Sequence, residues 1–239
     1  ETAFRVGRER FRYDMERRRE DGICGPEGLR FQFDQDDRRN PKVSDICRLY
    51  VERWEEMLER NIGVLFYGGV GSGKSFLASC MGNGLLERQV PVASASFPRL
   101  LNLLQGTFAK QALLDRLSIY KLLILDDLGA ERFSSYAEEQ VFNIVDARLG
   151  SRLPVAITTN LTMEQLKNPN SMQSARIYDR VLEMCPIRLK LAGESRRPQL
   201  AADRERQARE ILLGRGGATA ELRGEEDSFA LGDSALGLG

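Results

Sequence analysis

Five short apolar runs punctuate the chain: GVLFY (63–67), VPVASA (90–95), KLLILDD (121–127), LPVAITTN (153–160) and PIRLKL (186–191). Runs of this length bounded by turn residues read as strands. Between them, apolar residues recur at spacings of three and four, the period of a helix with one buried face. Helices are predicted over 74–88, over 97–118 as two pieces around Gly106, over 136–149, over 173–184, and over 198–213, the last strongly charged. Ahead of the first run, Val43, Ile46, Cys47, Tyr50, Val51, Trp54, Met57 and Leu58 predict one amphipathic helix over 43–61. Strands alternating with helices specify a parallel sheet covered on both faces.

The two ends differ from this middle. Residues 1–40 carry RERFRYDMERRRED, which suits a solvated helix, then a polar loop broken at Asn40-Pro41. Beyond Leu213 the chain is rich in glycine, alanine and acids without apolar period, so disorder is expected there. The expected division is a charged segment at 1–40, a remnant or linker, then a folded domain at 41–213 and a tail at 214–239. The chain opens at Glu1 rather than methionine, as a fragment would.

Composition narrows the chemistry. With 35 basic and 35 acidic residues in 239, no global field draws the chain to nucleic acid or membrane, so any such contact needs a local patch. The absence of histidine excludes a histidine base, a Ser-His-Asp triad and histidine metal ligands. Cys24, Cys47, Cys80 and Cys185 are scattered without CxxC pairing, which indicates reduced thiols in a cytoplasm. No apolar run is long enough to span a bilayer.

One segment concentrates the remaining signal. Gly68-Gly69-Val70-Gly71-Ser72-Gly73-Lys74-Ser75 fits G-x-x-x-x-G-K-[ST] between a predicted strand and a predicted helix. Glycines let successive N–H groups converge on one point and cradle anionic oxygens. The helix that follows adds free amides and the positive end of its dipole. Lys74 neutralises β- and γ-phosphates, and the Ser75 hydroxyl ligates Mg²⁺. Residues 68–75 with Phe76 are therefore the candidate contacts for a nucleotide triphosphate.

A metal-bound phosphate also needs an acid at the end of a neighbouring strand, which LLILDD supplies. Asp126 is suited to hold Mg²⁺ through water and Asp127 to polarise the attacking water. Adjacent strand residues face opposite ways, so the two acids are expected to divide these roles. Asn160, ending AITTN, suits orientation of a water near the γ-phosphate, with Thr158 or Thr159 in support.

Taken together, GVLFYGGVGSGKSFLASCMGNGLL, LLILDDLGAE, AITTN, RIYDRVLEMC and LAGESRR resemble the AAA+ ATPases of the DnaC/DnaI type over residues 40–212. These are bacterial and phage replicative helicase loaders, related to the transposition helper IstB. DDLGAE and GESRR favour the loader. The resemblance implies an α/β fold: a three-layer αβα P-loop NTPase core with a parallel sheet in the order 5-1-4-3-2, and a short or absent lid. It matches Gly68, Gly71, Gly73, Lys74 and Ser75 to Walker A, Asp126 and Asp127 to Walker B, and Asn160 to sensor I. It also implies an arginine finger in RIYDR, Arg180 first and Arg176 second, offered to the neighbouring subunit. Arg196 and Arg197 are candidates for sensor II. Residues 1–40 lack the cysteine cluster that some loaders carry in the region that contacts the helicase.

The implied activity is slow, assembly-dependent ATP hydrolysis with Mg²⁺, by copies joined through their ATP sites. The implied partners are a DnaB-type replicative helicase and single-stranded DNA. The corresponding DNA segment, 96–121, carries Arg99, Lys110, Arg116 and Lys121 beside Phe97, Phe108 and Tyr120, which suits backbone tracking with base stacking. The alternatives are an IstB-like transposition helper and a nucleotide-gated DNA-binding module with little hydrolysis, the latter because Asp127 stands in place of glutamate.

Overall fold

All five apolar runs form strands, and the alternation within each decides which side chain meets which layer. In the computed structural model, which describes residues 31–107, 109–129, 135–193, 195 and 197–213, they are β1 (Val64–Gly68), β2 (Val92–Ser96), β3 (Leu122–Leu128), β4 (Val155–Thr159) and β5 (Ile187–Leu191). They pair in one sheet in the order β2-β3-β4-β1-β5, and every pairing is parallel. Read from the other edge this is 5-1-4-3-2, the expected order.

Odd and even positions feed two separate cores. Leu65, Ala93, Ala95, Leu123, Leu125, Val155 and Ile157 point to one face. There they meet α4 (Phe97–Gln105), α5 (Lys110–Leu117), α6 (Ser135–Ser151), α7 (Met163–Lys167) and α8 (Met172–Met184). Val64, Phe66, Val92, Leu122, Ile124 and Ala156 point to the other. That face is covered by α1 (Pro41–Glu52), α2 (Trp54–Glu59) and α3 (Lys74–Glu87). The result is helix, sheet, helix in three layers. Phe66 has no exposed surface, and truncating such a ring to alanine costs about 3–5 kcal/mol.

Several local features depart from the expected pattern. The helix predicted over 43–61 breaks at Arg53, whose carbonyl accepts from both Glu56 and Met57. The break sets the Trp54 ring 6.1 Å from that of Tyr50, with both buried. Ile46, expected on the buried face, is exposed, and Ser44 is buried instead. The short α7 was not predicted, although its start is written in the sequence. The Thr162 hydroxyl accepts from the Gln165 backbone N–H, and the Thr162 backbone N–H donates to Gln165 Oε1, a capping box.

Residues 31–36 lie along α3. Phe31 stacks on Phe76 with ring centres 5.1 Å apart, and the Phe31 amide donates to Ser79 Oγ. Asn83 donates to the Phe31 carbonyl at 2.8 Å, and Arg48 covers the Phe33 ring and donates to its carbonyl.

Arg148 of α6 is 2 % exposed, yet it meets no carboxylate. Its guanidinium donates instead to the carbonyls of Leu117, Tyr120, Lys121 and Pro154. Burial pushes its pKa down to about 10, which still leaves it charged at neutral pH. The cation therefore pins the turns that enter β3 and β4, at the amino edge of the sheet.

The chain divides into two compact units between residues 195 and 196. The helix α9 (Arg197–Leu213) stands in the second unit and carries Arg209–Glu205 and Arg206–Asp203 pairs on a polar surface. Residues 1–30 of the expected segment 1–40, and the expected tail 214–239, lie outside the described residues. No helix among the described residues is long and apolar enough to cross a membrane.

Candidate functional site

The carboxyl ends of β1, β3 and β4 converge, because the strands are parallel and adjacent. Gly68 closes β1 with φ 141°, and a Cβ there would lie 2.3 Å from the Leu191 carbonyl oxygen of β5. Only glycine lets the two strands come this close while the chain turns. At the other end of the loop Gly73 is the N-cap of α3 with φ 100° and offers no capping side chain. The first intrahelical bond of the turn is Leu77 N–H to the Gly73 carbonyl at 3.0 Å. The amides of Lys74, Ser75 and Phe76 therefore point past the end of the helix, where the dipole favours negative charge. Ser72 Oγ is buried in the loop without a hydrogen-bond partner among the described residues.

Lys74 is 5 % exposed. Its ammonium donates to the carbonyls of Gly68 at 2.9 Å and Gly69 at 2.7 Å, and to Asn160 Oδ1 at 2.7 Å. Residues 86 positions apart in sequence are thus joined by one cation across β1 and β4. An anionic oxygen arriving at the loop competes with neutral acceptors for this ammonium, and charge-assisted bonds are roughly twice as strong.

The acid side of the site is a second network. Ser75 Oγ donates to Asp126 Oδ1 at 2.7 Å, and Thr158 Oγ1 donates to the same oxygen at 2.5 Å. Thr158 Oγ1 in turn accepts from the Asp127 amide at 3.0 Å. These contacts follow from a bulge. Leu125 pairs with Ile157 and Leu128 with Thr159, so Asp126 and Asp127 together oppose the single residue Thr158. Asp127 takes φ 61°, the left-handed region that non-glycine residues seldom occupy. The expected strict alternation of the two acids is broken here by an inserted residue. Thr159 does a different job: its hydroxyl donates to the Leu128 carbonyl and accepts from Leu161.

The donor set fits a polyphosphate carried with a divalent cation. Helix-end amides, an ammonium and a hydroxyl favour an anion, whereas Asp126, bonded to Ser75, repels a bare one. A cation between the two removes the conflict. Among the described residues no three acids or thiols cluster as a metal site. A Mg²⁺ ion would therefore rest on Ser75 and Asp126 together with nucleotide and water oxygens, its usual habit.

The two candidate fingers lie elsewhere, on α8. Arg180 Nε donates to Asp146 Oδ1 of α6 at 2.7 Å, and its Nη1 donates to the Arg176 carbonyl. The guanidinium carbons of Arg180 and Arg176 sit 4.6 and 4.9 Å from the centre of the Phe142 ring. Neither arginine is hydrogen-bonded to the loop residues 68–76.

The basic residues of 96–121 are not gathered into one strip. Arg99 lies in the first turn of α4, directly after β2, and Lys110, 4.9 Å from the Tyr136 ring, lies near the start of α6; both belong to the carboxyl edge. Arg116 and Lys121 lead into β3 at the amino edge, about 20 Å away at 3.3 Å per strand residue. The aromatic partners need a correction. Phe97 is 0 % and Tyr120 3 % exposed, because both are packed in the core beneath α4 and α6. Neither is available to stack on a base. Phe108 lies outside the described residues, as does Arg196; of Arg197 the structure describes the backbone alone.

Reasoning from sequence missed Thr158 as the bridge between the acids, and Asp146 and Phe142 as partners of Arg180. The alternatives left open at Thr158 and Thr159 are separated by the bulge, which no residue pattern announces.

Comparisons with known proteins agree with this geometry. The family described as IstB-like ATP binding protein matches residues 30–203. The replicative helicase loader DnaI of Bacillus subtilis (strain 168) is 29 % identical over 169 residues, covering 65 % of this chain and 52 % of the relative. The replicative helicase loader DnaC of Escherichia coli (strain K12) is 30 % identical over 140 residues, covering 56 % of this chain and 55 % of the relative. The chain thus spans about half the length of the curated relatives it matches. A crystal structure of DnaI superposes with a TM-score of 0.61 at 25 % identity, covering 73 % of this chain and 94 % of that one.

Proposed function

This chain belongs to the IstB-like ATP-binding family, and from that premise we propose that it hydrolyses ATP with Mg²⁺ to load a replicative helicase onto single-stranded DNA. The observation that carries the reading is the pair of linked networks at the strand ends: Lys74 with Asn160, and Ser75 with Asp126 and Thr158. Walker A corresponds to residues 68–75, and the chemistry is attack of water on the γ-phosphate. Lys74 binds the β- and γ-phosphate oxygens. Mg²⁺, when bound at Ser75 and Asp126, supplies charge neutralisation between the phosphates. Asp127 accepts a proton from the water that attacks, and Asn160 orients that water. Arg180 acts on the nucleotide of a neighbouring copy, so turnover depends on assembly.

The loading role rests on the relatives named as replicative helicase loaders. A second reading, an IstB-like transposition helper acting on duplex DNA, is kept because the matching family is described as IstB-like. One experiment addresses both. ATP turnover is measured over a range of protein concentrations with no DNA, with single-stranded DNA and with duplex DNA, and Lys74→Ala serves as reference. The expected outcome is turnover per molecule that rises with concentration, stimulation by single strands, and no ATP binding by Lys74→Ala. Stimulation by duplex alone favours the second reading. Micromolar ATP affinity retained in Lys74→Ala overturns the loop assignment.

A further inference from the structure

Arg180 is held from behind on three sides, and the proposed reaction needs it in front of another molecule. Its Nε is bound to Asp146 at 2.7 Å, its Nη1 to the Arg176 carbonyl at 3.1 Å, and its guanidinium carbon is 4.6 Å from the Phe142 ring centre. The Nη2 amine, with two further donors, meets no acceptor among the described residues. The Arg180 side chain is 24 % exposed and Asp146 50 %, so the pair sits at the surface with one amine outward. α6 and α8 run side by side in the same direction. Ser174 of the first turn of α8 donates to Glu138 at 3.0 Å, and both chains advance in parallel to the Asp146–Arg180 contact. Crowding does not force this pairing. On its other side Asp146 borders a groove of about 420 Å³ between α5 and α6.

We infer that Asp146 is a positioning residue for hydrolysis: it fixes Arg180 on the Phe142 platform so that the free amine is presented to the nucleotide of a neighbouring copy. The inference rests on the finger assignment made above. A free arginine side chain visits many rotamers, and each must be given up on meeting phosphate. One already held at Nε and stacked on a ring gives up far fewer, and its remaining amine is aimed. A carboxylate is suited to the task because it accepts at Nε without touching the phosphate-facing edge. As a plain surface ion pair the contact would add little to stability and nothing to turnover.

The test uses the full chain and four variants: Asp146→Asn, Asp146→Glu, Arg180→Ala and Lys74→Ala. ATP affinity, turnover at saturating ATP and thermal midpoint are measured for each. Asp146→Asn is expected to keep ATP affinity and thermal midpoint while turnover falls by about tenfold or more, and Asp146→Glu to recover part of the loss. Mixing Asp146→Asn with Lys74→Ala is expected to give more turnover than either alone. In that mixture an intact Arg180 and Asp146 from one copy serve the intact nucleotide site of the other. Normal turnover in Asp146→Asn beside a strong loss in Arg180→Ala overturns the positioning role and leaves the finger standing. A loss that mixing does not restore places the effect of Asp146 within its own copy and also overturns it. Normal turnover in Arg180→Ala removes the finger assignment, and this inference with it.

Discussion

Thr158→Val removes one hydroxyl and keeps the shape, so its consequences follow from two hydrogen bonds. Thr158 is fully buried, and valine leaves no cavity there. What is lost is the bond to Asp126 at 2.5 Å and the acceptor for the Asp127 amide at 3.0 Å. A hydrogen bond to a charged group is worth about 1.5–3 kcal/mol, and an orphaned buried amide costs about 1–3 kcal/mol. Asp126 and Asp127 are both only partly buried, so water offsets some of each, and a net loss of about 2–3 kcal/mol is expected. For a folded unit of this size that lowers the thermal midpoint by about 4–12 °C. The functional loss should exceed the structural one. Asp126 keeps Ser75 as a partner but loses the contact that fixes it to β4, so Mg²⁺-dependent ATP affinity falls with it. The control is Thr159→Val, which removes the bonds to Leu128 and Leu161. It should lower the midpoint without changing the dependence of ATP affinity on Mg²⁺. Calorimetric melting together with nucleotide titration at several Mg²⁺ concentrations measures both. A Thr158→Val protein that melts within about 2 °C of the parent and keeps its Mg²⁺ response would show that the bulge does not depend on this hydroxyl.

Two further outcomes follow from the description of the fold. Arg148→Met should destabilise the chain by about 3 kcal/mol or more, because it withdraws a charged donor from four carbonyls, those of Leu117, Tyr120 and Pro154 in buried bonds, and the loss should appear in urea melts with ATP affinity little changed at equal folded fraction. Arg99→Ala with Lys110→Ala, both on the edge that carries Lys74, should flatten the salt dependence of single-strand binding by about 1.4 in the log–log slope, at about 0.7 per phosphate contact. Arg116→Ala with Lys121→Ala, on the far edge, should leave that slope as it was, and the reverse ranking would move the DNA path to the other side of the sheet.

The strands and the helix layers were legible because apolar runs of five or so residues have few other uses, whereas the strand order came only from the resemblance to the DnaC/DnaI-type ATPases, since no apolar pattern tells which strands are neighbours. The loop was legible for a similar reason: four glycines before a lysine and a serine have little packing value. Positions that depend on a distant partner were not legible. Phe97 and Tyr120 look alike as base platforms or as core, and only the neighbouring strand and α6 decide that they are core. Ile46 sits at a spacing that suits burial, yet α1 turns Ser44, Cys47, Tyr50 and Val51 inward and leaves it outside. Arg148 carries no sign in sequence that it would meet carbonyls rather than an acid.

The end of β3 ties two adjacent acids to a single threonine of β4. In an unbroken strand their side chains would leave on opposite faces, and only one would meet the loop. The bulge sets both opposite Thr158 and forces Asp127 into φ 61°, a conformation that costs about 1 kcal/mol or more for a residue with a Cβ. That cost persists only because the surroundings hold it: the Asp127 amide bonds Thr158, whose hydroxyl bonds Asp126, which bonds Ser75 at the head of α3. The strain and the order of the site therefore share one cause. Any change that relaxes the bulge, including a deletion that restores regular pairing with β4, should raise the stability of β3 and at the same time break the run of bonds that ties Asp127 through Thr158 and Asp126 to Ser75.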